Sequence, residues 1–382
     1  MKSLAPDNPK KTVLVISDLH LGAGKTIKGR RNLLEDFHYD GALVDFLRYY
    51  SSDQFFEREV ELIINGDFLD FLAVPFVEYF DDEFWSEDAA LEKIKMIIVA
   101  HRDVFSALKN FISKPHKKIV YIFGNHDAEM IFDSVKVEFK KAIGDPPVQK
   151  FMMRNDLQLY IPVAGVYIQH GHQYEKAHDF NPETSLIESS DDKKYFKPPW
   201  GSYYVINLLN RYKQERFYIN AVRPIKHFLI HGLLFDTFFT LRFMLSNIYY
   251  FIMVRFWYYF MQKIQWKKIF YDLKNELELF QDYESLTRDF FGQRPQAKVL
   301  IVGHTHNPLF RLYSDGTTFI NTGTWTNMVN LELGNIHHSQ ALTYAQVDVF
   351  GENFDIQEFE NNVNVDLKIW TGVNQYPYKE FR

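Results

Sequence analysis

Glu61-Leu62-Ile63-Ile64-Asn65-Gly66-Asp67 is an apolar run that stops at a glycine followed by a carboxylate. Residues 60–64 have the composition of a short buried strand, and Gly66 lets the backbone turn sharply, so that Asp67 projects from the strand's C-terminal edge. Three other apolar runs end in the same way. Val13-Leu14-Val15-Ile16 leads into Ser17-Asp18-Leu19-His20, Ile119-Val120-Tyr121-Ile122-Phe123 into Gly124-Asn125-His126-Asp127, and Val299-Leu300-Ile301-Val302 into Gly303-His304-Thr305-His306. A fifth, Val166-Tyr167-Ile168-Gln169, ends at His170. Open α/β sheets place their chemistry at this edge, so strand ends deliver Asp, His and Asn side chains to one place.

Residues 12–170 alternate such strands with helical stretches at 41–50 and 89–111, the pattern of an α/β layer architecture. Strand patterning resumes at residue 298 and continues through 309–313, 317–320, 342–349 and 354–359. Between these halves the alternation stops. Residues 171–200, with Pro182, Pro198 and Pro199, read as a loop leading into an insertion, and from 201 to about 283 the pattern is helical. The expected organisation is a core in two parts, 1–200 and 286–382, split by an insertion at 201–285.

A chain of 382 residues exceeds the roughly 250–300 at which one core stops growing, in keeping with a large insertion. The 46% hydrophobic content excludes a disordered chain. There is no cysteine, so disulfides and thiolate ligands are excluded and any metal must be held by His, carboxylate or amide oxygen. The basic N-terminal residues precede an apolar run too short for a secretory signal, and a cytoplasmic protein is expected. Net charge is −6, which does not point to a nucleic-acid partner. Its distribution is uneven, because residues 201–270 hold ten Lys and Arg against only Glu215 and Asp236.

Asp18, His20, Asp67, Asn125, His170, His304 and His306 together offer two carboxylates, four imidazoles and an amide oxygen. This mixture suits borderline divalent ions, manganese first with iron or zinc as alternatives, better than calcium or magnesium. Seven ligands exceed the needs of one ion, and the economical arrangement is a binuclear centre with Asp67 between the metals. In Asp18-Leu19-His20 and His304-Thr305-His306, alternate residues of an extended segment point to the same side, so each pair can address one centre. Two neighbouring metals clamp the oxygens of an in-line displacement and activate water, which makes phosphoester hydrolysis the expected reaction class.

These motifs, in this order, resemble the five motifs of the calcineurin-like metallophosphoesterases over residues 12–170 and 295–360. The resemblance implies a four-layer αββα sandwich. It also implies that Asp18, His20, Asp67 and His306 hold one metal and Asp67, Asn125, His170 and His304 the other. His126 would be the proton donor, oriented by Asp127, and Asn321-Thr322-Gly323-Thr324-Trp325 resembles a strand-end turn of the family. His172 is the alternative to His170, and His172, Tyr174 and His178 are candidate substrate contacts. Asp70 reads as a helix cap or a residue behind the ligands. His101, His116, His337 and His338 read as structural or surface residues, and Asp81-Asp82-Glu83 as a solvated loop.

Residues 227–262 carry only three charged side chains and are rich in Phe, Tyr and Trp, including Phe256, Trp257, Tyr258, Tyr259 and Phe260. Their longest uncharged run, 243–254, is short of the roughly 20 residues that span a bilayer. One reading is a small helical subdomain whose aromatic residues form its own core. Aromatic density beside surplus Lys and Arg is also the composition of an element lying against anionic head groups at the inner face of a membrane. Leaving the core just after His170, it could cap the site. Ser17-Asp18-Leu19-His20-Leu21 and the helical insertion resemble the UDP-2,3-diacylglucosamine pyrophosphatases, which carry Arg in place of His126 and Asp in place of His172. The favoured expectation is hydrolysis of a phosphate or pyrophosphate ester on a lipid-linked, acylated substrate. The alternatives are a soluble nucleotide phosphodiesterase or phosphatase and, disfavoured because no ligand is missing, a non-catalytic scaffold.

Overall fold

A computed structural model describes residues 8–75, 82–189, 192–219, 221–223, 225–261, 283–332, 335–339, 342–351, 354–372 and 376–377. Lys11–Ile16 lies central in a seven-stranded sheet. On one side it pairs in parallel with Glu59–Asn65, followed by Lys117–Ile122 and Phe151–Met153, also parallel. On the other it pairs antiparallel with Thr343–Val349, then Val363–Ile369 and Tyr376–Pro377. A second sheet of five strands centres on Val299–Val302, parallel to both Thr318–Asn321 and Val166–Ile168, with Leu309–Leu312 and Tyr160–Val163 antiparallel at its edges.

Alternation along the strands builds the layers. Val13, Val15, Ile63, Val120 and Ile122 of the first sheet meet Val166, Ile168, Val299, Ile301 and Ile320 of the second in one buried cluster. Leu14, Ile16, Leu62, Ile64 and Tyr121 point the other way, onto Phe46, Ile94, Ile97, Val104 and Leu108 of the helices Asp40–Tyr49, Glu87–Ala100 and Arg102–Ser113. The outer face of the second sheet buries Leu300, Val302 and Phe319 against Phe290 of the helix Tyr283–Gln293. Helix, sheet, sheet, helix is the expected αββα sandwich. Because both faces of the central strands are covered, their sequences are continuous apolar runs.

Three local expectations differ. The 89–111 stretch is two helices broken at His101, whose Nδ1 lies 2.6 Å from Asp40 Oδ1 and whose Nε2 lies 3.5 Å from Glu35 Oε1. The strand expected at 354–359 is instead a 3₁₀ turn, Ile356–Glu358, and a short helix, Phe359–Asn362; Asp355 caps the turn by accepting from Gln357 N at 3.1 Å. The strand follows at Val363–Ile369. The loop 171–200 contains a hairpin, Leu186–Glu188 with Lys194–Phe196, held to Glu83 through Tyr195 and Lys193. Asp81 lies outside the described residues.

Beyond this loop come the helices Trp200–Tyr204 and Asn210–Lys213, joined by the π-helical turn Val205–Leu209, then Ile225–Phe235 and Thr237–Met261. They enclose a cluster of Leu208, Tyr212, Ile219, Val222, Phe239 and Phe243. Asn210 Nδ2 donates to Leu72 O at 2.8 Å, and Lys213 Nζ to Leu34 O at 2.9 Å and Asp36 Oδ2 at 2.6 Å, fastening the segment to the core. Among the described residues no helix is long and apolar enough to cross a membrane. Lys263, Lys267 and Lys268, and the side chains of Phe256, Trp257, Tyr258, Tyr259 and Phe260, lie outside the described structure.

Candidate metal centre

Register brings the strand ends level. Ile16 pairs with Ile64 and Ile64 with Tyr121, so the loops bearing Asp18, Asp67 and Asn125 leave the first sheet along one edge. In the second sheet Ile168 pairs with Ile301 and Val302 with Asn321, which sets His170 and His304 side by side. The loops stay paired beyond the strands. Asp18 N donates to Gly66 O at 3.1 Å, His20 N to Asp67 O at 2.9 Å, and Gly303 N to His170 O at 2.8 Å.

The backbone at these ends is not extended, as the alternate-residue argument assumed. Asp18, His20, Asp67, His304 and His306 all have positive φ, between 50° and 70°. The left-handed region costs a non-glycine residue roughly 1–2 kcal/mol, and such residues cluster where surrounding structure holds them for function. The pairs Asp18/His20 and His304/His306 therefore converge through successive left-handed turns. Gly124 permits a further close approach, since a Cβ there would lie 2.1 Å from Asp67 Oδ1 and 2.5 Å from Asp67 N.

Two groups result. In the first, His306 Nε2 lies 3.0 Å from His20 Nε2 and 3.4 Å from Asp18 Oδ1. In the second, His170 Nε2 lies 3.3 Å from Asp67 Oδ2, with the His304 ring 5.3 Å from the His170 ring. Asp67 Oδ2 is also 4.0 Å from His20 Nε2, so this carboxylate stands between the two. Asp18, His20 and His306 could hold one cation, and Asp67, His170 and His304 another, their donor atoms falling within 4.8 Å of one another in each set.

The surrounding residues select which atoms face the site. His170 Nδ1 donates to Asn65 O at 2.8 Å, and His20 Nδ1 faces Asp70 Oδ2 at 3.3 Å, turning both Nε2 atoms inward. Asn125 Oδ1 and His304 Nδ1 are buried with no hydrogen-bond partner among the described residues. Buried lone pairs without partners are costly. Imidazole and amide donors left in this condition, beside the Asp18 and Asp67 carboxylates, fit divalent cations. Burial opposes charge here, yet His306 holds the Asp18 carboxyl low and His170 holds Asp67 well below the usual carboxylate range. Burial likewise lowers His170, but Asp67 pushes it up to about 10.

His126 sits beside the first group, its ring edge-on to that of His20 at 4.6 Å. Its Nδ1 is 3.0 Å from Asp70 Oδ1, and against the effect of burial the Asp70 and Asp67 carboxylates raise it to about 9. Asp127, expected to orient this ring, does something else. It accepts from Gly124 N at 2.6 Å, Phe68 N at 3.0 Å and Tyr121 OH at 2.7 Å, locking the Asp67 and Asn125 loops together. Burial and the Asp67 charge push Asp127 up to about 6. Asp70 also caps the turn Phe71–Ala73 through Ala73 N.

Of the candidate substrate contacts, His172 is buried, stacked on Phe180 at 5.1 Å, and held neutral by burial; it belongs to neither ligand group. Tyr174 OH accepts from Gln169 Nε2. His178 Nδ1 faces Asn125 Nδ2 at 3.3 Å. Residues 321–325 buttress the ligands. Thr324 Oγ1 donates to Asp18 O at 2.6 Å and Asn321 Nδ2 to Gly303 O at 2.7 Å. Glu175 was not among the expected site residues, yet its Oε2 lies 3.1 Å from His304 Nε2. No motif marks it, whereas Asp70 is marked by its place three residues after Asp67.

A sequence profile of the calcineurin-like phosphoesterases matches residues 11–308. Similar solved structures include a dimetal phosphatase from Danio rerio, 12% identical, covering 97% of this chain and 100% of that one, with a TM-score of 0.36. Others are Vps29 from Entamoeba histolytica with zinc (11% identity, 96% and 97% covered, TM-score 0.32) and a 5′-nucleotidase from Candida albicans (12% identity, 96% and 53% covered, TM-score 0.32). Likeness at this level carries no functional argument. No curated protein matches the chain.

Proposed function

We propose, since the chain belongs to the calcineurin-like phosphoesterase family and is a metal-dependent phosphoester hydrolase, that it acts with two divalent ions on a lipid-linked phosphate or pyrophosphate ester at an anionic membrane surface. Asp18, His20, Asp67 and His306 would hold one ion and Asp67, Asn125, His170 and His304 the other, with manganese the first choice. Bound there, such ions supply an activated water and charge stabilisation for an in-line displacement. His126 would protonate the leaving oxygen through Nε2, a role supported by the engagement of its Nδ1 by Asp70.

The observation that carries the lipid part is one face of the helix Thr237–Met261. Phe239 and Phe243 are buried, while Phe238 (80% exposed), Leu241, Leu245 (65%), Tyr249 (67%) and Ile252 recur at helical spacing on the outside. From 238 to 252 this stripe runs about 20 Å, and Leu234 and Phe235 at the end of the preceding helix are exposed as well. The only acidic residues of 201–270, Glu215 and Asp236, are taken up by Arg242 and Arg216, leaving the segment a surplus of positive charge. An apolar stripe in a segment whose sequence carries surplus Lys and Arg complements anionic lipid, and UDP-2,3-diacylglucosamine has the matching chemistry of a pyrophosphate head and acyl tails.

The test combines sedimentation with vesicles containing phosphatidylglycerol and hydrolysis of UDP-diacylglucosamine with added manganese. Vesicle binding lost in Phe238→Asp and Leu245→Asp, together with cleavage of the acylated substrate, is expected. Hydrolysis confined to water-soluble esters, without vesicle binding, would remove the lipid part and leave a soluble phosphoesterase.

A further inference from the structure

Between the last strand of the first half and the insertion, the turn 172–180 presents two side chains that neither the ligand set nor the proton donor accounts for. Glu175 Oε2 lies 3.1 Å from His304 Nε2 and 3.6 Å from His178 Nε2, and His178 Nδ1 lies 3.3 Å from Asn125 Nδ2. With the Asn125 amide oriented as it is in the structure, the protons along this row follow. The amide of Asn125 can only donate through Nδ2, so His178 accepts at Nδ1 and keeps its own proton on Nε2, facing Glu175. His304 donates from Nε2 to the same carboxylate oxygen. What remains is a free lone pair on His304 Nδ1 and another on Asn125 Oδ1, and both atoms are buried without a hydrogen-bond partner among the described residues.

From this juxtaposition we infer that Glu175 and His178 form a positioning pair for the second metal site, presenting Nδ1 of His304 and Oδ1 of Asn125 to one cation. The inference rests on the binuclear reading above and deepens it. His20 and His170 have their non-facing nitrogens held by Asp70 and by the Asn65 carbonyl, and Glu175 is the counterpart for His304. Outer partners of this kind fix tautomer and ring orientation, and their loss costs about 10- to 100-fold in metal affinity. The pair is also tied to the root of the insertion. Gly201 N donates to Ala177 O at 2.8 Å, and a Cβ on Gly201 would come within 2.9 Å of His178 Nδ1. The turn that orients two ligands is thus packed directly under the first helix of the inserted segment.

The experiment is a titration of the metal-free full chain with Mn²⁺, read by calorimetry and by electron paramagnetic resonance. The unaltered chain takes up two ions and gives an exchange-coupled spectrum. Glu175→Ala weakens one of the two by about 10- to 100-fold, leaves the other unchanged, and at low loading gives the six-line signal of isolated Mn²⁺. His178→Phe, which keeps a ring but removes both nitrogens, also weakens one site only, and Glu175→Gln, which retains an acceptor oxygen, recovers most of the affinity. Thermal unfolding of the metal-free variants verifies folding. Two sites of unchanged affinity with a coupled spectrum in both Glu175→Ala and His178→Phe would overturn the positioning role alone. A folded, unaltered chain binding fewer than two ions would overturn the binuclear reading, and this inference with it.

Discussion

Asp70 Oδ1 lies 3.0 Å from His126 Nδ1 while Asp127, the next residue in sequence to His126, turns its carboxylate into the loops behind. The ring proposed to protonate the leaving group is therefore oriented from another loop. Asp70→Asn should lower kcat by about 10- to 100-fold, and His126→Gln by about 10²- to 10⁴-fold. In the double variant the two losses should add only in part, because they share the Asp70–His126 contact while Asp70→Asn also loosens His20, whose Nδ1 faces the same carboxylate. Asp127→Asn should appear chiefly as lost stability. A double-mutant cycle in kcat checks this, and additive effects would count against the pairing.

Gly124 is fixed by proximity. A methyl group there would overlap Asp67 Oδ1 at 2.1 Å and Asp67 N at 2.5 Å, and the second contact is backbone. Gly124→Ala is expected to cost about 1–3 kcal/mol through overpacking and to weaken metal uptake through displacement of Asp67. Denaturant unfolding and a metal titration read the two effects separately.

His101 offers a pH test remote from the metal ligands. Burial lowers it, but Asp40 and Glu35 raise it to about 9 from an ordinary value near 6.5. A folded-state value above the unfolded one stabilises fully below about pH 6.5, and that contribution disappears as pH rises through about 9. The stability difference between the unaltered chain and His101→Gln should therefore be largest at pH 6, up to about 3 kcal/mol, and should shrink by pH 9.5. Denaturation at the two pH values measures it.

Lys93 is wholly buried, its Nζ 3.3 Å from Glu129 Oε1 and 2.8 Å from Phe84 O. Burial outweighs Glu129 and brings its pKa down to about 8. Lys93→Ala should cost about 3–5 kcal/mol because it leaves Glu129 buried without a partner, whereas Lys93→Met combined with Glu129→Leu should recover most of the loss. Unfolding free energies of the three variants decide it.

Much of this structure can be read from the chain. The apolar runs ending at Asp18, Asp67, Asn125, His170 and His304 are legible because both faces of their strands are covered and the chemistry sits where each run stops. The left-handed backbone at Asp18, His20, Asp67, His304 and His306 is not legible, since only glycine advertises positive φ and these residues are held there by the loops around them. The His101 break carries no Pro or Gly. It follows from partners at 35 and 40 that no local pattern reveals. At 354–359 apolar residues occur at a spacing a strand could use, but Asp355 caps a turn, while the clean alternation Val363, Val365, Leu367, Ile369 marks the true strand. Glu175 acquires its meaning only from the side chains brought opposite it.

The central claim is that Asp67 stands between two cations. Elemental analysis of the purified, folded chain after equilibration with Mn²⁺ tests it most directly, alongside Asp67→Ala. Two ions per chain, and loss of tight binding at both sites in the variant, is the predicted result. A folded chain that retains none, or an Asp67→Ala protein that holds two as tightly as the original, would contradict it.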